Sequence, residues 1–226
     1  MIRIGSAIFN ADHGHLADEM QRLEDAGVDF VHFDVFDGYF VPDFGFPART
    51  IATLRQHSRL PFEVHLAAND PLRFVPALVD AGADLIFLPA ETTPLKYEAI
   101  FAVREQGCNV GLWLTLGTPL SVLEPVLPLV DAVLLLARVT GESTRGASFN
   151  PLVLDRVRRV RAWIDTGRYA VDLQVAGGLN ANSMSQAVAA GARSLPVGSA
   201  LYRTQDMGRV VAELRQVCEA ALKRET

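Results

Sequence analysis

Four helix-like stretches of this chain stop at a glycine, and an apolar run begins two or three residues later. They are Asp25-Ala26-Gly27-Val28-Asp29-Phe30, Asp80-Ala81-Gly82-Ala83-Asp84-Leu85, Glu105-Gln106-Gly107-Cys108-Asn109-Val110 and Ala189-Ala190-Gly191-Ala192-Arg193-Ser194. Glycine ends a helix because it enters left-handed backbone without a Cβ clash, so each segment marks one passage from helix to strand. The four glycines lie 55, 25 and 84 residues apart. These intervals are close to two, one and three multiples of a unit of about 27 to 28 residues, a fitting size for one strand plus one helix. A chain of 226 residues holds about eight such units.

Apolar runs suited to strands buried on both faces occur at 2–9, 30–35, 62–66, 85–88, 110–114, 132–136, 171–175 and 194–197. Amphipathic helices are expected between them. Leu16, Met20 and Leu23 recur at helical spacing in the first, and Val210, Leu214, Val217 and Ala221 in the last. Eight alternating units without a break in composition predict an α/β protein, a (β/α)8 TIM barrel forming a single domain over residues 1–226. A doubly wound sheet would carry a glycine-rich dinucleotide turn after its first strand. The chain has neither G-x-G-x-x-G nor G-x-x-x-x-G-K-[ST], so no nucleotide cofactor is expected.

Composition removes several other classes. Half of the residues are hydrophobic and no low-complexity tract occurs, which excludes disorder. A formal net charge of −5 argues against a broad face that neutralises nucleic-acid phosphates, while leaving room for a small anionic ligand. No apolar run is long enough for a membrane span and no signal core follows Met1, so a cytoplasmic protein is expected. Cys108 and Cys218 lack zinc-site spacing and read as reduced, buried thiols. Lysine is confined to Lys96 and Lys223, one at a helix start and one in a charged tail, so Schiff-base chemistry is not expected.

Active sites of such barrels lie at the C-terminal ends of the strands. Strand two ends in His32-Phe33-Asp34-Val35-Phe36-Asp37-Gly38, and alternation puts His32 and Asp34 on one face. Strand three ends in Val64-His65-Leu66. His32, Asp34 and His65 make a credible ligand set for a divalent metal such as Zn, Fe or Mn, and a structural histidine beside a loop aspartate is the other reading of the pair on strand two. His13, His15 and His57 read as solvated or capping residues. Gly177 and Gly178 follow strand seven, and Gly198 and Ser199 follow strand eight, where barrels of this type often bind phosphate through backbone N–H groups. These glycines could also serve only to turn the chain. Residues 138–148, with Gly141 and Gly146, form a candidate lid, and Gly146 joins the phosphate-side candidates. Arg138 and Arg145 could reach a phosphate or a carboxylate.

The run His32-Phe33-Asp34-Val35-Phe36-Asp37-Gly38-Tyr39-Phe40-Val41-Pro42-Asp43 resembles H-V-D-V-M-D-G-H-F-V-P-N of the ribulose-phosphate 3-epimerase family. Val64-His65-Leu66, Ala90-Glu91, Thr118-Pro119-Leu120, Phe149-Asn150-Pro151 and Gly198-Ser199-Ala200 extend the likeness over nearly the whole chain. The resemblance implies a ketose phosphate as ligand, a divalent metal held by His32, Asp34 and His65, proton exchange beside the ketone through a metal-stabilised enediolate, and a homo-oligomer. It implies Asp34 as the first acid/base. The family's V-D-G-G, which supplies the opposing Asp and a fourth ligand, is here Val175-Ala176-Gly177-Gly178. A replacement acid would have to come from elsewhere, with Glu142, Asp172 and Glu91 as candidates. A homologue that binds a phosphosugar without epimerising it is the alternative, and a one-base lyase or isomerase is a third reading.

Overall fold

The structure, a computed structural model, describes residues 1–138 and 149–223. All four glycines of the repeating segments have left-handed backbone, with φ of 74° at Gly27, 90° at Gly82, 79° at Gly107 and 113° at Gly191. Three of the four turns close with the same pair of hydrogen bonds. At Gly27, Gly82 and Gly191 the glycine N–H donates three residues back, and the next N–H donates five residues back, to Leu23, Leu78 and Ala187. The residue type that the helix end demands is therefore what spaces the units along the chain.

Eight parallel strands close into a barrel in sequence order. They are β1 Arg3–Ala7, β2 Phe30–Phe36, β3 Phe62–Ala67, β4 Leu85–Pro89, β5 Asn109–Leu114, β6 Ala132–Leu136, β7 Asp172–Ala176 and β8 Ser194–Val197. The first is shorter than its apolar run, because Ile8–Asn10 turns into a 3-10 helix. The helices are α1 Leu16–Ala26, α2 Ala48–Arg55, α3 Val75–Asp80, α4 Lys96–Arg104, α5 Leu152–Gly167, α6 Ala181–Ala189, α7 Ser199–Tyr202 and α8 Met207–Leu222.

The expectation of a helix in every connection fails between β5 and β6. That crossover is made of two 3-10 turns, Leu120–Val122 and Leu127–Leu129. Pro119, Pro125 and Pro128 within ten residues remove backbone donors and prevent a continuous α-helix there. In α8 the buried stripe is Met207, Val211, Leu214, Cys218 and Ala221. Val210 and Val217 of the predicted stripe are only half-buried.

Alternation along the strands sorts the core into two parts. One cluster lies between barrel and helices and includes Val31, Phe33, Val64, Leu112 and Val133. A second contains Ala67, Phe87, Trp113, Leu134, Leu136 and Ala176, with Phe36 and Phe40 packed against it. Strand neighbours in register point the same way, so this second set fills the inside of the barrel. Below it, at the N-terminal end of the strands, Arg3 pairs with Glu63 at 2.9 Å and Asp172 at 3.0 Å, and Gln174 donates to Glu63 at 2.8 Å. This polar floor closes the barrel opposite the site.

Cys108 and Cys218 are buried and free, and burial pushes their thiols up to about 12 and about 11. Lys96 begins α4 and donates to the carbonyl of Thr93. No helix among the described residues is long and apolar enough to cross a membrane.

Candidate functional site

His32 and Asp34 point to one side of β2, and the register sets Asp34 directly opposite His65 on β3. Three atoms converge there. His65 Nδ1 donates to Asp34 Oδ1 at 2.9 Å, and His32 Nε2 lies 3.6 Å from the same oxygen. The three side chains offer ligand atoms that all lie within 4.8 Å of one another. The His65 ring meets Trp113 edge-on at 4.5 Å, and the indole is itself fixed by its Nε1–H donating to the carbonyl of Leu66.

Both histidines are buried, whereas Asp34 keeps 18% of its side chain exposed. Burial pushes the Asp34 carboxyl up, but the two imidazoles beside it outweigh burial and hold it well below the usual carboxylate range. Burial lowers His65, against the opposing pull of Asp34. An ionised carboxylate beside neutral imidazole is the protonation state that metal coordination requires. The outer nitrogens, His32 Nδ1 and His65 Nε2, are buried and have no hydrogen-bond partner among the described residues. Two imidazole nitrogens and one carboxylate oxygen converging at this spacing suit a divalent cation, with space left on the cavity side.

The loop after β2 is tied to this triad. Asp37 accepts hydrogen bonds from the N–H groups of Tyr39, Phe40 and Asn69 at 2.7 to 2.9 Å. The loop then folds back on its own strand, where the N–H of Phe46 donates to the carbonyl of Asp34 at 2.8 Å. Gly45 makes that return feasible, since a Cβ there would run into the backbone of Asp34, Val35 and Phe36.

Above the triad opens a cavity of about 600 Å³ at the C-terminal ends of the strands. Gly177, Gly178, Gly198 and Ser199 line it together with His32, Asp34 and His65. The helix expected near 180–183 is α6. Asn180 caps it, accepting from the N–H groups of Asn182 and Ser183, while the Ser183 hydroxyl accepts from the N–H of Asn180. Gly146, with Glu142, Arg145 and the rest of the lid beyond Arg138, lies outside the described residues.

Two candidates for an opposing acid are misplaced. Asp172 opens β7 and belongs to the barrel floor, where it pairs with Arg3 and accepts from Ser194. Glu91 accepts from the N–H of Thr115 and the hydroxyl of Thr118 and does not line the cavity. Ala176 does line it, as a methyl group in the wall. Asp43 and Arg203 also line the cavity and were not read from the sequence. Asp43 stands in the strand-two motif; Arg203 has no sequence signal beyond following the Gly198-Ser199 turn. His13, His15 and His57 are exposed, and His15 is the N-cap residue of α1.

A closed (β/α)8 barrel with a two-histidine, one-aspartate cluster and glycine turns at its C-terminal mouth places the protein among barrels built to hold a small ligand at that end. The profile of the Ribulose-phosphate 3 epimerase family matches residues 3–202. Two relatives are ribulose-phosphate 3-epimerase of Bacillus subtilis (strain 168), 34% identical over 95% of this chain and 99% of its own length, and that of Escherichia coli (strain K12), 34% identical over 94% of each. The chain belongs to the ribulose-phosphate 3-epimerase family. Its fold is shared by 3-hexulose-6-phosphate synthase from Salmonella typhimurium, with a TM-score of 0.71 at 18% identity over the whole of both chains. It is also shared by 3-keto-L-gulonate-6-phosphate decarboxylase from Vibrio cholerae, at 0.69 and 15% over 97% of each.

Proposed function

We propose that this protein binds a small phosphorylated ketose in the barrel mouth and moves a proton at the carbon beside its ketone, epimerising or isomerising it. The convergence of His32 Nε2, Asp34 Oδ1 and His65 Nδ1 carries this reading. In it these three residues hold a divalent cation, Zn, Fe or Mn, and the N–H groups around Gly177, Gly178, Gly198 and Ser199 receive the phosphate, with Gly146 contributing from the lid. A bound cation would polarise the ketone and make the neighbouring C–H more acidic.

Asp34 serves as the base. Its Oδ1 is engaged by the imidazoles, while Oδ2 has no hydrogen bond to any described residue, and the carboxyl is ionised at neutral pH. Oδ2 takes the proton from carbon, the C–H electron pair becomes the C=C bond of an enediolate, and the ketone oxygen takes the negative charge. Return of the proton from Asp34 restores the starting ketose; inversion needs a donor on the other face. Ala176 supplies none, and this supports a second reading in which the ligand is bound, or exchanged on one face only, without inversion. Incubation of ribulose 5-phosphate with the metal-loaded protein in deuterium oxide separates these outcomes. Label with inversion supports epimerisation, label without inversion supports one-base chemistry, and bound sugar without label supports the non-epimerising homologue.

A further inference from the structure

Arg138 is a cation that no described residue pairs, next to Leu136 and Ala176 in the cavity wall. It comes two residues after the end of β6 and lines the cavity. Its side-chain stem packs over the Gly177 turn, where a Cβ on Gly177 would fall 2.9 Å from the Arg138 Cγ. The side chain is half-buried, and its guanidinium forms no ion pair or hydrogen bond with any described residue. Arg138 follows Ala137, whose N–H donates to the carbonyl of Ala176 at 2.8 Å, so it stands at the mouth beside Ala176. A guanidinium partly removed from water without an anion is costly, and its forked donors match a carboxylate.

The surroundings favour a carboxylate of the ligand over its phosphate. The phosphate side has its own cation in Arg203, at the end of α7, which lines the cavity beyond Gly198 and Ser199. Beside Arg138 the described wall is Leu136 and Ala176, the N–H of Ala137 donating to the carbonyl of Ala176 at 2.8 Å. Of the two carboxylates that line the cavity among the described residues, Asp34 is engaged by the histidines and Asp43 accepts from the N–H of Phe44. We infer that Arg138 reads a carboxylate on the ligand, so that the preferred substrate class is a phosphorylated ketose that is also a sugar acid. The inference rests on the phosphosugar reading of the same cavity.

The test measures calorimetric affinities of the metal-loaded protein for three probes: inorganic phosphate, ribulose 5-phosphate and 5-phosphoribonate. The expected result is 5-phosphoribonate bound about 10-fold or more tighter than ribulose 5-phosphate. Arg138→Gln abolishes that preference and leaves the affinity for inorganic phosphate within about twofold, and Arg138→Lys retains only part of the preference. Equal wild-type affinities for the two sugars overturn the inference. So does a preference that survives in Arg138→Gln, which assigns it to the metal, or an equal loss of inorganic phosphate, which makes Arg138 a phosphate ligand. Absence of binding by all three probes overturns the phosphosugar reading itself, and the inference with it.

Discussion

His65 Nδ1 donates to Asp34 Oδ1 at 2.9 Å, while Oδ2 of the same carboxylate has no hydrogen bond to any described residue. The two oxygens can therefore do different work, one engaged by the imidazoles and the other free of described partners. Asp34→Asn keeps the shape and one acceptor oxygen but cannot take a proton. Deuterium exchange into a ketose phosphate is expected to fall by about 10²- to 10⁴-fold. His65→Ala, in contrast, should abolish stoichiometric metal in elemental analysis. Wild-type exchange in Asp34→Asn would remove Asp34 from the reaction.

Position 176 tests the missing acid directly. Ala176 lines the cavity at the end of β7, and Ala176→Asp is expected to raise epimerisation of ribulose 5-phosphate, followed by a coupled assay, and to tighten metal binding. Unchanged activity with metal bound would show that this position is not what limits the reaction.

Asp37 holds the loop after β2 through three backbone N–H groups. Those hydrogen bonds keep its carboxyl below the ordinary value of 3.8, against the upward push of partial burial. Asp37→Ala should cost about 1 to 3 kcal/mol in urea unfolding at pH 7. Because the folded-state pKa is the lower one, the contribution is complete above about pH 4 and fades as pH falls through that folded value. The gap between wild type and variant should thus narrow at pH 3. A gap independent of pH would assign the loss to packing.

Gly45 sits where the returning loop touches the backbone of Asp34. Gly45→Ala should push the loop off β2 and weaken metal affinity by about 10-fold or more, with the barrel's circular dichroism kept, because one misplaced ligand is enough to lose a coordination geometry. Retained affinity would show that the loop does not set the position of Asp34.

Much of this was legible in the sequence because the physics is local. A glycine at each helix end must have positive φ, and a His-x-Asp on a strand must present both side chains to one face. The errors came from depth within the barrel. Asp172 shares a strand with Ala176, but it stands at the first residue of β7 and so belongs to the floor. Glu91 is on the correct side of the barrel, and only the Thr115 and Thr118 donors show that it turns away from the cavity. Arg138 was visible as a charge after a strand. That no described residue pairs with it is a matter of three-dimensional placement that spacing does not convey.

The aspartate just before an even-numbered strand acts across units. The N–H of Ile4 on β1 donates to Asp29 just before β2, that of Phe62 on β3 to Asp84 just before β4, and that of Val110 on β5 to Asp131 just before β6, at 2.7 to 2.9 Å. Three neighbouring strand pairs are stitched in this way. In the fourth, Arg193 stands where the aspartate would be, and β7 and β8 share a single register pair, Gln174 with Ser194. The β7–β8 pair is joined instead by the Ser194 hydroxyl, which donates to Asp172 at 2.6 Å, and the loops carrying Gly177, Gly178, Gly198 and Ser199 rise from the other end of these two strands. Because Asp172 also pairs with Arg3, the polar floor anchors from the far end of the barrel the two strands whose loops the proposed function assigns to a phosphate.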